Sequence, residues 1–158
     1  MEIMDKRKKS ESTGRLQALA EFRHQLRMFL SFSETAAQKV GLQSQQHQLL
    51  LQIAGAPDEV AATIGYAAER LGLRHNSAVE LSNRCEEAGL IVRKQGGSDR
   101  RCVILNISPK GQEVLEALSI DHARELNELG PQLVRSLAAV RIVHRRSGKQ
   151  AVRRNSES

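Results

Sequence analysis

The stretch that decides the fold is residues 63–94, which read TIGYAAERLGLRHNSAVELSNRCEEAGLIVRK. Apolar residues recur there at three- and four-residue steps, as in helices with one buried face, and Gly72 stands where the first helix needs a left-handed stop. We expect Thr63 to cap this helix and a second helix to cover 76–88. The inward positions are Ile64, Ala67, Ala68, Leu71, Ala78, Leu81, Cys85 and Ala88. Two short helices joined by so tight a turn predict a helix-turn-helix.

A β-hairpin is predicted directly after the second helix. Residues 90–95 and 102–107 have the apolar pattern of strands, and they flank the polar segment GGSDRR at 96–101. The two glycines let the tip of the hairpin bend without steric cost. A very short strand is also expected at Val60 and Ala61. A helix-turn-helix followed by a hairpin is a winged helix-turn-helix, so the predicted fold is mainly α with a small β-hairpin wing.

The rest of the chain is predicted to be helical or disordered. Ser44 is the expected cap of a helix that ends at Ala54, and Ser108 followed by Pro109 opens another helix. The predicted organisation begins with a disordered basic arm at 1–12 and an N-terminal dimerisation helix at 13–40, followed by the winged helix-turn-helix at 41–108. Two dimerisation helices are predicted within 109–143, separated by Gly130 and Pro131. A disordered basic tail is predicted at 144–158. The outer helices are too apolar to stand alone around so small a domain, so we expect them to form a two-fold homodimer.

Composition narrows the class of partner. The chain of 158 residues has a formal net charge of +6, which favours polyanions such as nucleic acid. Aromatic residues make up only 3% of it, which argues against binding single strands by base stacking. No apolar run approaches the ~20 residues of a membrane span, and the first residues do not form a secretory signal. No nucleophile–base pair, phosphate loop or metal-ligand spacing is present. We therefore expect a cytoplasmic protein that is not an enzyme, with no cofactor, no metal and no membrane partner.

The second helix of the motif, 76–88, is the predicted reader of the major groove. Asn76 is suited to an adenine edge and Glu80 to cytosine, because their side chains match the hydrogen-bonding groups of those bases. Ser77 and Arg74 are better suited to phosphate. Arg84 follows Glu80 by one helical turn, so it either contacts DNA or forms an ion pair with Glu80.

The wing adds basic groups beside that helix. Arg93 and Lys94 on the first strand are predicted phosphate contacts, and Arg100 and Arg101 are placed to enter a minor groove. Asp99 is suited to hold an arginine by a bidentate pair. The predicted DNA-binding residues are therefore Arg74, His75, Asn76, Ser77, Glu80, Arg84, Arg93, Lys94, Asp99, Arg100 and Arg101. The alternative for the wing is a solvated turn with a surface ion pair.

Three segments, in this order and spacing, resemble the multiple antibiotic resistance regulators (MarR family). They are GLQSQQHQLLLQIAG at 41–55, the stretch at 63–94, and SDRRCVILNISPKGQEVL at 98–115, and the resemblance covers about 41–118. Its most specific part is Asp-x-Arg in the wing, then a leucine-rich strand and Ser-Pro-Lys-Gly, matched here by Asp99, Arg101, Ser108, Pro109, Lys110 and Gly111. The resemblance implies a homodimer on a roughly palindromic operator, with Arg101 in the minor groove and Asp99 as its brace. It also implies release of the DNA by small molecules or oxidants.

The cysteines depart from the family pattern. Cys85 fills an inward position that more often holds leucine in such helices, and it is interpreted as a small core residue. No cysteine stands in the first helix, which argues against the peroxide-sensing branch. Cys102 begins a strand beside two arginines, so redox sensing there stays open as an alternative.

An effector pocket is predicted from the first helix. Phe22 and Phe29 are spaced for one helix face, and with Arg23, Arg27 and His47 they suit a small aromatic acid. The simpler interpretation is that the phenylalanines belong to the core. His24, His47 and His122 are candidates for a metal or ligand cluster, although ordinary satisfied or exposed histidines are the simpler interpretation.

Together these features predict a sequence-specific, double-stranded DNA-binding transcriptional regulator. We expect a ligand-responsive repressor that acts as a homodimer on a pseudo-palindromic operator. The rival hypothesis is a winged-helix module that binds protein, which the acidic residues Glu80, Glu86 and Glu87 favour.

Overall fold

A computed structural model describes residues 2–96 and 102–154, with side chains at 9–96 and 102–142. The helices and strands are α1 (Glu2–Lys39), α2 (Ser44–Ala54), α3 (Ile64–Leu71), α4 (His75–Glu87), β1 (Ile91–Gln95), β2 (Val103–Ile107) and α5 (Pro109–Arg154). The chain forms two compact units: residues 33–122 make one, and residues 1–32 with 123–158 make the other.

The unit at 33–122 contains the predicted helix-turn-helix and wing, and it confirms the local signals in the sequence. The Thr63 hydroxyl accepts a hydrogen bond from the Tyr66 amide at 3.1 Å and so caps α3. Gly72 ends α3 in the left-handed conformation, with φ of 63°. Helix α3 packs against α2 and α4. The core consists of Ala36, Ala37, Leu42, Leu49, Leu50, Ile53, Ala62, Ile64, Ala67, Ala68, Ala78, Leu81, Cys85, Leu90, Ile91, Leu105, Leu115 and Leu118.

The wing is an antiparallel hairpin of β1 and β2 in which Ile91 pairs with Ile107 and Gln95 with Val103. The amide of Gly96 donates to the carbonyl of Cys102 at 2.7 Å and continues the ladder toward the tip. A third short segment pairs with β2, since the Leu105 amide donates to the Ala62 carbonyl at 2.8 Å. The short strand was predicted at Val60 and Ala61. The pairing instead involves Ala62 and Thr63, directly after them.

The segment Ser108–Pro109–Lys110–Gly111 joins the wing to α5 and holds the end of α4. The Ser108 hydroxyl accepts from the Gly111 amide at 3.0 Å, as an N-cap does, and donates to the Gly89 carbonyl at 2.6 Å. Lys110 donates its ammonium to the Ala88 carbonyl at 2.8 Å, at the carboxyl end of α4. The first turn of α5 is thereby fastened to the helix predicted to read DNA.

The flanking helices differ from the prediction in length. Helix α1 begins at Glu2 instead of at residue 13, so the segment 2–12 is helical and not disordered. Its glutamate, lysine, arginine and methionine residues are good helix formers that need no buried face. Helix α5 continues through Pro131 to Arg154, so Gly130 and Pro131 do not divide it, and 144–154 is helical too. An internal proline removes one hydrogen bond, which a helix of this length tolerates.

Helix α2 begins at Ser44, the residue that was predicted to be its cap, so that assignment is wrong by one residue. The N-cap is Gln43, whose amide donates to Oε1 of Gln46 at 2.9 Å. In the described part of the chain, no helix has both the length and the apolar composition needed to cross a bilayer.

The unit formed by residues 1–32 and 123–158, called the outer unit below, presents apolar side chains to solvent. Leu16 on α1 is 63% exposed and Val134 on α5 is 67% exposed. Phe22, Phe29 and Phe32 on α1 are half-buried. The other large exposed apolar side chains in this unit are Leu19, Leu26, Met28, Leu30, Leu126, Leu137 and Ile142.

Candidate nucleic-acid interface

Helix α4 has one buried face and one exposed polar face. Ala78, Leu81, Ser82 and Cys85 face the core, and the Ser82 hydroxyl is satisfied by the Ala78 carbonyl at 2.7 Å. The exposed residues are Arg74, His75, Asn76, Ser77, Glu80, Asn83, Arg84, Glu86 and Glu87. The structure therefore places six of the predicted DNA-binding residues at one helix and its N-cap, with the polar amino end open to solvent.

Arg84 and Glu80 are independent of each other. Among the described side chains, no ion pair joins them, although they are one turn apart on α4. Of the two interpretations of Arg84, the ion pair with Glu80 is therefore wrong, and its cation remains exposed beside Glu80.

Arg93 and Lys94 lie on opposite faces of β1, because successive side chains of a strand alternate. Lys94 is exposed, as a phosphate contact requires. Arg93 lies on the inner face, opposite Leu105, and is half-buried. Its guanidinium is directed to α4, where Nε forms an ion pair with Glu86 at 3.3 Å and Nη2 donates to Oδ1 of Asn83 and to the carbonyl of Val79 at 3.5 Å. Its assignment as a simple phosphate contact does not fit this arrangement.

Asn83 and Glu86 are the residues that the sequence reasoning left out of the site. Strand alternation alone places Arg93 on the inner face of the wing. The partner on α4 was not predictable in the same way, because it depends on how the hairpin packs against the helix. Asp99, Arg100 and Arg101, the predicted minor-groove group, lie outside the described residues.

The two cysteines have different surroundings. Cys85 is fully buried, and burial raises the pKa of its thiol to about 11, against the smaller opposing effect of Arg84. A thiol of that pKa is protonated at neutral pH and is a poor nucleophile. Cys102 is partly exposed. The redox alternative therefore concerns Cys102 alone.

His47 and His122 come together, whereas His24 is exposed on α1. Their ring centroids are 4.8 Å apart. His122 also contacts Ser33, with 2.8 Å between Nε2 and the hydroxyl oxygen, and its Nδ1 donates to the Leu118 carbonyl at 2.7 Å. Within the described residues, no group of three or more potential metal ligands is formed.

The remaining effector residues do not share one environment. Arg23 and Arg27 are exposed, and His47 is buried. Phe22, Arg23, Arg27 and Phe29 belong to the outer unit and His47 to the unit at 33–122. The effector pocket stays a prediction.

Burial of His47 leads to a pH dependence of stability. Burial, and to a smaller degree the positive charge of His122, lowers the pKa of His47 below its ordinary value of 6.5. The unfolded chain then binds more protons than the folded one as pH falls through 6.5, so acid favours unfolding. We expect the free energy of unfolding, measured by urea titration at a series of pH values, to fall less steeply below pH 6.5 in His47→Gln than in the parent. The difference in slope is at most about 1.4 kcal/mol per pH unit, the value for one proton.

His24→Gln is the control for that experiment, since His24 is exposed. It should keep the slope of the parent. Equal slopes in the parent and in His47→Gln would show that His47 is not responsible.

The comparisons with known proteins agree with this architecture. A family model described as the MarR family matches residues 40–101, the segment that contains α2, α3, α4, β1 and the predicted tip of the wing. This part of the chain is therefore similar to the MarR family. No curated protein matches the sequence significantly.

Solved structures extend the MarR-type likeness beyond that segment. The MarR family transcription regulator SP03579 is 19% identical, with a TM-score of 0.70 over 95% of this chain and 98% of its own. AbsC, a MarR family transcriptional regulator from Streptomyces coelicolor, is 18% identical, with a TM-score of 0.63 over 72% of this chain and 76% of its own. A variant of S. aureus MepR bound to an oligodeoxyribonucleotide is 15% identical, with a TM-score of 0.59 over 87% of this chain and 95% of its own. At these identities the likeness shows the fold: a MarR-type winged helix with long flanking helices.

Proposed function

We propose that this chain is a transcriptional regulator that binds a specific double-stranded DNA operator as a homodimer. The observation that carries the proposal is the exposed polar face of α4 beside the wing, in a MarR-type domain. Arg74, His75, Asn76 and Ser77 are all exposed at the amino end of α4, the end that reaches base edges in helix-turn-helix proteins. The MepR variant of similar fold is bound to an oligodeoxyribonucleotide, which supports DNA as the ligand.

The chemistry of that face suits DNA better than protein. Asn76 carries both a donor and an acceptor, and in the described part of the chain its side chain has no hydrogen-bond partner. It is therefore free to make the two-bond contact to an adenine edge. Of the acidic residues that favour a protein-binding module, Glu86 is already paired with Arg93.

The homodimer is supported by the exposed apolar side chains of the outer unit. Leu16 and Val134 exceed 60% exposure in a single copy. Burial of apolar area contributes about 25 cal/mol per Å², so covering these side chains with a second copy is favourable. A two-fold dimer would set two copies of α4 about 34 Å apart, the spacing of successive major-groove faces.

Response to a small molecule is the remaining part of the proposal. An effector that binds better to a dimer with a different separation of its reading helices would draw the population away from the DNA-fitting state. We therefore propose a repressor that an effector releases from its operator. The half-buried Phe22 and Phe29, with exposed Arg23 and Arg27 on the same helix, support an aromatic acid as that effector.

Selection of bound fragments from random duplex DNA tests the proposal most directly. We expect an inverted repeat whose half-sites are about 10–10.5 base pairs apart, centre to centre. Affinity for the selected duplex should fall steeply as salt rises, because phosphate contacts release counterions. A protein that selects no duplex, or whose binding does not depend on salt, would instead be a protein-binding module.

Asn76→Ala is expected to change base preference at one position in each half-site. The loss for the preferred base should be about 1–3 kcal/mol, the discrimination of one good bidentate contact. Repeating the selection with the variant measures this change. Ser77→Ala is the control, because a phosphate contact is lost equally on all sequences. A uniform loss for Asn76→Ala would make Asn76 a phosphate contact and not a reader of bases.

A further inference from the structure

Arg93 ties the wing to the reading helix through three groups of α4. Its Nε forms an ion pair with Glu86 at 3.3 Å, and its Nη2 donates to the Val79 carbonyl at 3.5 Å and to Oδ1 of Asn83. Its side chain is only 23% exposed. A guanidinium is a planar fork of donors, which allows one arginine to hold several acceptors in a fixed geometry.

The contact with Arg93 determines how Asn83 presents its amide. A guanidinium has donors and no acceptor. The side-chain atom of Asn83 that contacts it must therefore be the carbonyl oxygen and not the amino group. The amino group of Asn83 is then left for another partner. With its oxygen turned toward Arg93, Asn83 does not present that acceptor outward beside its donor, as the two-bond contact to adenine requires, unlike Asn76.

Asn83 lies on the reading face of α4. It follows Asn76 by seven residues, which is about two helical turns, so both side chains leave the helix on nearly the same side. Both are exposed. Asn83 also lies on the flank nearest the wing, because its neighbours in the Arg93 contact are Val79 and Glu86.

We propose that Asn83 is a further DNA-contacting residue that acts only as a hydrogen-bond donor, and that Arg93 is its positioning residue. This inference rests on the proposed function. The acceptor on the DNA is an oxygen or a ring nitrogen, supplied by a phosphate or by the edge of a base. Arg93 then affects binding through the orientation of Asn83 and not through its own charge.

Three variants test the proposal by titration of the operator duplex: Asn83→Ala, Arg93→Lys and the double variant. Asn83→Ala removes the donor, and Arg93→Lys keeps the charge but replaces the fork by a single ammonium. Each should weaken binding roughly three- to tenfold, the effect of one hydrogen bond. The double variant should bind about as weakly as Asn83→Ala alone, because Arg93 acts through Asn83.

Arg70→Lys is the matched control. Arg70 also donates to a side-chain amide oxygen, Oε1 of Gln52 at 2.8 Å, but that bond joins α3 to α2. It should bind the operator like the parent. Thermal unfolding of every variant confirms that a loss of affinity is not a loss of fold.

The outcomes separate this inference from the proposed function. Arg93→Lys binding like the parent would make Arg93 a phosphate contact and overturn the inference, as would losses that multiply in the double variant. A parent protein that binds no duplex overturns the proposed function itself. In a repeated selection, a loss for Asn83→Ala at one base position places the acceptor on a base, and a uniform loss places it on a phosphate.

Discussion

Gly111→Ala should lower the free energy of unfolding by roughly 3 kcal/mol or more, at the upper end of overpacking effects. A Cβ at this position would lie 2.1 Å from the carbonyl oxygen of Leu90 and 3.0 Å from Cγ1 of Ile107. The first contact is with backbone, which cannot move aside as the end of a flexible side chain does. Accommodating the methyl group therefore requires α5 to separate from the segment that joins α4 to the wing.

Helix propensity acts in the opposite direction at this position but is smaller. Alanine is favoured over glycine inside a helix by about 1 kcal/mol, which does not offset the overlap with Leu90. Gly130→Ala is the matched control, because Gly130 lies in the same helix and a Cβ there has nothing within 4 Å. Urea unfolding should show Gly130→Ala slightly more stable than the parent and Gly111→Ala much less. Equal stabilities for the two variants would contradict the close approach at Leu90.

Gly111 illustrates what a motif in the sequence does and does not disclose. The cap formed by Ser108 and Pro109 was predictable from local chemistry, since a hydroxyl at the N-cap and proline in the first turn are helix signals. The roles of Lys110 and Gly111 were not. They depend on the carbonyls of Ala88 and Leu90, which only the fold brings to the start of α5.

The winged helix was largely predictable because its signals are local. The caps at Thr63 and Gly72, the inward faces of α3 and α4, and the two strands all follow from residues close in sequence. The limits of the outer helices were not predictable from the same signals. A charged segment such as 2–12 gives no apolar period, and Pro131 looks like a stop although α5 continues through it.

The candidate site was predictable where it depends on one helix and not where two elements meet. The exposed face of α4 follows from its period. Whether Arg93 faces DNA or α4 follows from strand alternation, but its partners Asn83 and Glu86 follow only from the packing of β1 on α4. The resemblance of the sequence to the MarR family supplied the fold and did not supply this contact.

Leu81→Ala is the second change with a large expected effect, since Leu81 fixes α4 to the core. Its side chain is fully buried on the face opposite the reading residues. Truncating a buried leucine leaves a cavity and costs about 2–5 kcal/mol, so we expect the midpoint of urea unfolding to fall accordingly. Leu51→Ala is the control, because Leu51 is 48% exposed on α2 and its truncation removes little buried area. A small loss in both variants would show that α4 is not anchored through Leu81.

The same variant separates the position of α4 from its chemistry. Leu81→Ala keeps the side chains of Asn76, Glu80 and Asn83. The cavity that it creates beneath α4, however, lets the whole helix shift against the wing. We expect weaker binding to the selected operator at a temperature where the variant is still folded, with unchanged base preference in a repeated selection. The contrast with Asn76→Ala, which should change preference with little effect on stability, then assigns the two roles to the two faces of one helix. An altered base preference in Leu81→Ala would show instead that the packing of α4 itself sets which bases are read.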